Sequence, residues 1–231
     1  MIFSDACYLQ SKCAKYKRGE CVPSSFCIKL FKTDELFNKG LFTEMQKHYL
    51  PMRVDDDGTD ANEFRQLKNI ETNIEDFVKN GKNLYLFSPN TGNGKTSWAL
   101  RLAQAYIDKI WYKSDISCKV LFISVPKFFI MLKESIREEN EYIKHIKECV
   151  MTCDLVIWDD IGSKPGTEFE MDNLFNIIDY RVSSAKTNIY TSNMNYAQLR
   201  ERVGERLYSR VINLSDKIQL CGMDKRGAGE Q

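Results

Sequence analysis

The residues best suited to chemistry lie in Ser88-Pro89-Asn90-Thr91-Gly92-Asn93-Gly94-Lys95-Thr96-Ser97. This stretch follows an apolar run and opens a helical pattern, the context in which a glycine-rich loop cradles phosphates. Gly92 and Gly94 allow successive backbone N–H groups to turn inward without Cβ clashes. The helix start adds unpaired donors and a partial positive charge. Lys95 then brings a point charge to the β- and γ-phosphates, and the Thr96 hydroxyl suits a magnesium ligand. Asn93 and Ser97 complete the expected nucleotide-binding set. The usual loop begins with glycine five positions before Gly94, where this chain has Pro89, so the entry is shaped differently while the Gly-x-Gly-Lys-Thr end is whole. ATP and Mg2+ are the expected ligands.

A second group is Leu155-Val156-Ile157-Trp158-Asp159-Asp160, an apolar strand ending in two carboxylates. Asp159 is expected to hold the magnesium and Asp160 to orient or deprotonate an attacking water. The blander alternative is a strand closed by an Asp-Ile-Gly turn. A third, Thr187 to Asn193, ends a strand in polar residues and could aim Asn193 at the γ-phosphate or the lytic water; Thr-Ser-Asn also serves as an ordinary helix cap.

Four thiols crowd the N-terminal 27 residues. Cys7, Cys13, Cys21 and Cys27 follow C-x5-C-x7-C-x5-C, enough ligands for a tetrahedral zinc that would staple a segment too small for its own core. The spacing is wider than that of a zinc ribbon, and an iron–sulfur cluster or four free thiols fit the same residues. Cys118, Cys149, Cys153 and Cys221 sit among apolar neighbours and read as small core residues.

Positioning these groups requires strands buried on both faces. The runs Leu84–Phe87, Val120–Val125, Leu155–Trp158 and Asn188–Thr191 alternate with helical stretches near Thr96–Lys113, Pro126–Arg137, Asn140–Met151 and Glu168–Ser183. That alternation predicts an α/β fold with a parallel sheet flanked by helices. Upstream, Asn62–Asn80 has apolar residues on one helical face and is closed by Gly81, and Ile28–Leu50 is amphipathic up to Pro51. The acidic stretch from Asp55 to Asp60 reads as a linker. We therefore expect residues 1–54 to form a cysteine-rich module, 55–80 a linker and helix, and 81–231 the ATP-binding domain.

Composition narrows the classes. With 33 Lys and Arg against 32 Asp and Glu, the net charge is +1, so any nucleic-acid contact must be local or shared among subunits. Lys127-Phe128-Phe129 and Lys144-His145-Ile146-Lys147 mix basic and aromatic or apolar residues suited to single-stranded DNA, although Phe128 and Phe129 read more simply as core. No apolar run approaches the ~20 residues of a membrane span, and the N-terminus lacks a signal-peptide pattern, which points to the cytoplasm.

The series Gly92-Asn93-Gly94-Lys95-Thr96, Val156 to Gly162 with Asp159-Asp160, Thr191-Ser192-Asn193, and Gly204-Glu205-Arg206-Leu207-Tyr208-Ser209-Arg210 resembles the DnaC/DnaI/IstB branch of AAA+ ATPases over about residues 80–226. The resemblance implies a five-stranded P-loop core and ATP hydrolysis completed between self-associated subunits. It makes Asn193 sensor 1, Arg210 the arginine finger with Arg206 as its rival, and Arg226 a sensor-2-like arginine. It also implies a hexameric DnaB-type replicative helicase and single-stranded DNA as partners, with the N-terminal module gripping the helicase. A transposition accessory ATPase acting on duplex DNA, or a helicase-binding inhibitor using ATP structurally, are the alternatives.

Overall fold

The computed structural model describes residues 7, 10–11, 13–22, 24–47, 58–137 and 141–224. Its N-terminal part contains α1 (Ala14–Lys17), α2 (Ser25–Lys39) and α3 (Glu44–Lys47), so the amphipathic stretch after Ile28 is two helices broken at Gly40 and Leu41. The single helix expected over Asn62–Asn80 is likewise two, α4 (Ala61–Thr72) and α5 (Ile74–Lys79). Asn73 ends the first, and its amide side chain turns back to the Asn69 carbonyl. Such back-bonding by a short polar side chain competes with the helix ladder.

From Asn83 the chain alternates: β1 (Asn83–Phe87), α6 (Lys95–Ile110), β2 (Val120–Ser124), α7 (Val125–Arg137), α8 (Glu141–Thr152), β3 (Leu155–Asp159), α9 (Glu168–Ser183), β4 (Thr187–Ser192), α10 (Tyr196–Tyr208), a π-helical turn Ser209–Asn213, and β5 (Ser215–Gln219). The sheet is parallel, in the order β2-β3-β4-β1-β5. The expected α/β class and five-strand parallel sheet are both present. β5 has no apolar run to announce it, because Ser-Asp-Lys-Ile-Gln is an edge strand with two exposed charges, and of its two buried residues, Ser215 and Ile218, only Ile218 is apolar.

Period-two alternation along the strands builds two cores. Leu84, Leu86, Phe122, Leu155, Ile157 and Ile189 pack on one face against α2, α4, α5 and α6. Tyr85, Leu121, Ile123, Val156, Trp158 and Tyr190 pack on the other against α7 to α10. Leu36 and Phe37 of α2 and Phe42 share the first core, so this N-terminal helix is seated on the α/β fold. At ~1.5–3 kcal/mol for each large side chain fully buried, both faces contribute strongly to stability. The loops at the C-terminal strand ends therefore stand on a rigid base.

Candidate nucleotide site

β1 ends at Phe87, and the chain enters the phosphate loop pinned to its neighbour: the Ser88 N–H donates to the Ser192 carbonyl at 3.1 Å. Gly92 (φ 70°) and Gly94 (φ 100°) adopt left-handed backbone, with Gly94 at the N-cap of α6. That conformation is nearly free for glycine and costs other residues roughly 1–2 kcal/mol. Lys95 opens the helix and is 6% exposed. Its ammonium donates to the Asn90 carbonyl at 2.8 Å and to Asn93 Oδ1 at 3.1 Å. The Asn93 amide in turn donates to Ser88 Oγ at 2.6 Å and to the Leu220 carbonyl at 3.1 Å. Pro89 thus enters a loop whose shape is set by polar side chains as well as glycines.

The second group meets the loop directly. Thr96 Oγ1 donates to Asp159 Oδ1 at 2.8 Å, joining the start of α6 to the end of β3. Thr191 Oγ1, on β4 between those elements, donates to the same oxygen at 2.7 Å and accepts the Asp160 N–H at 3.0 Å. Burial pushes the Asp159 carboxyl above the usual carboxylate range, and the hydrogen bonds from Thr191 and Thr96 oppose that rise. A hydroxyl and a buried carboxylate side by side are hard oxygen donors of the kind magnesium takes. A cation there would also offset the cost of the buried negative charge. The residues fit Mg2+ bound with a nucleotide phosphate. Asp160 holds φ 59°, sparsely populated for a residue with a side chain, and it does so at the position expected to activate water.

Asn193 follows β4 directly, beyond the strand that lies between β1 and β3. The helix-capping role that Thr-Ser-Asn could have signalled belongs instead to Asn195, which forms a capping box with Gln198. Ser97 is half-buried in the first turn of α6. Arg210 lies in the π-helical turn and pairs with Asp179 of α9, whereas Arg206 is exposed and stacks 4.2 Å from the Phe175 ring centroid. Arg226 lies outside the described residues.

The cysteines require a correction. Among the described residues no group of three or more His, Cys, Asp or Glu side chains could hold a metal ion, so zinc at Cys7, Cys13, Cys21 and Cys27 is not supported. The Cys21 thiol is pushed up by desolvation and then by Cys13, Cys7 and Cys27. All eight cysteines are free thiols. Cys149 and Cys153 are core residues as expected, while Cys118 is half-buried and Cys221 exposed. Phe128 and Phe129 are buried, and only Lys127 of that trio is exposed. No helix among the described residues is long and apolar enough to cross a membrane.

Several site residues were not legible in the chain. Thr191 lies in the Thr-Ser-Asn motif, but there only Asn193 has an expected role; it is Thr191 that bonds both aspartates, through the Asp159 carboxylate and the Asp160 N–H. Asp60, read as linker, is fully buried and accepts the Cys221 and Gly222 N–H groups at 2.7 and 2.9 Å. Asp224 places its carboxylate against the loop, where a Cβ built on Gly92 would lie 1.7 Å from Oδ1. A run of four aspartates within six residues signals solvent, and nothing local marks the one that faces inward.

Comparison with known proteins agrees with this geometry. The family model described as IstB-like ATP binding protein matches residues 50–219. The replicative helicase loader DnaC of Escherichia coli K12 is 24% identical over 127 residues, 55% of this chain and 49% of DnaC. The chain thus spans about half the length of the curated relatives it matches. The crystal structure of the DnaC helicase loader is similar with a TM-score of 0.58 at 21% identity, covering 80% of this chain and 98% of that one. DnaI gives 0.62 at 21% identity over 80% and 95%. AMPPCP-bound DnaA from Aquifex aeolicus gives 0.53 at 20% identity over 70% and 46%. These structural likenesses establish a shared fold. The phosphate loop, the aspartate pair and all five strands fall inside the matched span, and the chain belongs to the IstB-like ATP-binding family, with the fold of the DnaC-type AAA+ proteins.

Proposed function

We propose that this chain is an ATPase that loads a hexameric DnaB-type replicative helicase onto single-stranded DNA. The observation that carries the ATPase part is the Thr96–Asp159–Thr191 contact, which brings the loop's hydroxyl, a buried carboxylate and the Asp160 backbone into one cluster. Gly92, Asn93, Gly94, Lys95, Thr96 and Ser97 would hold the triphosphate, with Arg226 as a further phosphate contact. Thr96 and Asp159 would hold magnesium, which when bound neutralises phosphate charge. Asp160 takes or orients the proton of the attacking water, and Asn193 positions that water. Arg210 reaches the ATP of a neighbouring subunit, so self-association completes the site.

The loader part is supported by the relatives named as helicase loaders. In this reading residues 1–54 engage the helicase, 55–80 connect, and 81–231 bind and hydrolyse ATP. The IstB-like family model favours one alternative, a transposition accessory ATPase, which would prefer duplex DNA. The test is ATP turnover by purified protein, alone and with its cognate replicative helicase, on single-stranded and duplex DNA. Turnover raised by helicase with single strands is expected. Failure of the helicase to bind in any nucleotide state, with stimulation by duplex DNA alone, would overturn the loader reading.

A further inference from the structure

Asp60 stands where an aspartate ordinarily caps its own helix, immediately before α4. It makes no such bond. Both of its oxygens are instead given to a distant strap that follows β5: Oδ1 accepts the Cys221 N–H at 2.7 Å and Oδ2 the Gly222 N–H at 2.9 Å. The residue is fully buried, so its charge is satisfied by these donors and not by water.

The strap continues to the phosphate loop. The Asn90 amide donates to the Cys221 carbonyl at 3.1 Å and to the Gly222 carbonyl at 3.3 Å, and the Asn93 amide donates to the Leu220 carbonyl at 3.1 Å. The two asparagines also supply the oxygens that hold Lys95, the Asn90 carbonyl and Asn93 Oδ1. The chain of contacts therefore runs from Asp60, through the peptides of residues 220–222, through Asn90 and Asn93, to the lysine ammonium. No link exceeds 3.3 Å.

We infer that Asp60 is a positioning residue for nucleotide binding, acting through the 220–222 strap and the two asparagines to set Lys95. This rests on the proposed binding of ATP at the loop. Releasing Asp60 frees the strap peptides; the Asn93 amide then loses the fixed carbonyl that helps aim its Oδ1 at Lys95, and the Asn90 side chain loses the carbonyls that anchor the peptide whose oxygen accepts from Lys95. Coupling of this kind is reciprocal: whatever alters the Asp60–strap bonds alters nucleotide affinity, and bound nucleotide alters those bonds by the same free energy. Because Asp60 begins α4 directly after the acidic connector, the relay makes ATP affinity responsive to how the N-terminal part of the chain is held.

The test uses the full chain and a fluorescent non-hydrolysable ATP analogue with magnesium. Asp60→Ala is expected to weaken the analogue on the order of tenfold, a typical coupling between distinct sites, with Asp60→Asn in between because it keeps one acceptor. In the wild type, hydrogen–deuterium exchange at the Cys221 and Gly222 amides is expected to change when the analogue binds. A merely structural Asp60 would lower the melting temperature yet leave the folded variant's affinity and those two amides unaffected, and that result overturns the inference. If Asp60→Ala does not fold, Asp60→Asn and the wild-type exchange measurement decide alone. An analogue that fails to bind the wild type would instead defeat the ATP-binding reading itself.

Discussion

Lys95 has a dual character: it is nearly buried, yet its ammonium donates to a loop carbonyl and an amide oxygen. Those two neutral acceptors can be exchanged for phosphate oxygens, and the charge then serves the nucleotide. Lys95→Ala is therefore expected to reduce ATP affinity by tenfold or more while the protein remains folded, measured by calorimetric titration beside a thermal melt. Asp160→Asn should retain ATP binding and lose turnover by about 10²–10⁴-fold, the usual contribution of a positioned general base. Unchanged turnover would remove Asp160 from that role. Thr191→Val keeps the side-chain volume but leaves the buried Asp159 oxygen one donor short and the Asp160 N–H without its acceptor. A loss of about 1–3 kcal/mol is expected, read from denaturant midpoints. A variant as stable as wild type would show that water replaces the hydroxyl.

Among the elements, what the chain announced and what it hid follow one physical rule. Central strands are buried on both faces, so Leu84–Phe87 and Leu155–Trp158 are continuous apolar runs and could be placed to within a residue. β5 is an edge strand, buries a single apolar residue, Ile218, beside Ser215, and carries Asp216 and Lys217 to solvent, so no periodicity betrays it. The phosphate loop was legible because its chemistry requires particular residues in order; the strap that braces it uses mainly backbone groups, which leave no trace in side-chain types. Arg181 was hidden in the same way. It looks like a surface residue of α9, yet it is fully buried, bonded to Asn188 Oδ1 and to the carbonyls of Val150, Cys153 and Thr187 at 2.7–3.1 Å. These partners cluster at the N-terminal ends of β3 and β4, opposite the nucleotide loop. Arg181→Met should accordingly cost about 3 kcal/mol or more, since it strands several acceptors, while ATP affinity of the folded fraction stays unchanged. A chemical-denaturation curve coinciding with the wild type would show the network to be dispensable.

For the molecule as a whole, the proposed reading asks a nearly neutral chain to complete its ATP site by assembly. Its own loop, aspartates and Thr191 are already in mutual contact, so one subunit holds most of the site. Arg210 is not among those contacts: it sits in the π-helical turn with Asp179 as its partner, and its side chain is 39% exposed. An exposed ion pair of this kind contributes little to stability, ~0–1 kcal/mol, so the guanidinium can leave Asp179 for a neighbour's phosphate at small cost. On the proposed reading, Arg210→Ala should bind ATP as a monomer with wild-type affinity yet lose turnover in the assembled state. An arginine acting in trans typically contributes 10³–10⁵-fold. The decisive measurement mixes Arg210→Ala with Lys95→Ala protein, each inactive alone, in the presence of helicase and single-stranded DNA. Wherever an Arg210→Ala subunit supplies an intact loop beside a Lys95→Ala subunit that supplies Arg210, one complete site forms, and part of the activity returns in proportion to such pairings. Full turnover by Arg210→Ala alone would exclude it as the finger and move the test to Arg206, whose guanidinium must first leave the Phe175 ring. No recovery in the mixture, with both variants assembling normally, would show instead that Arg210 acts within its own subunit.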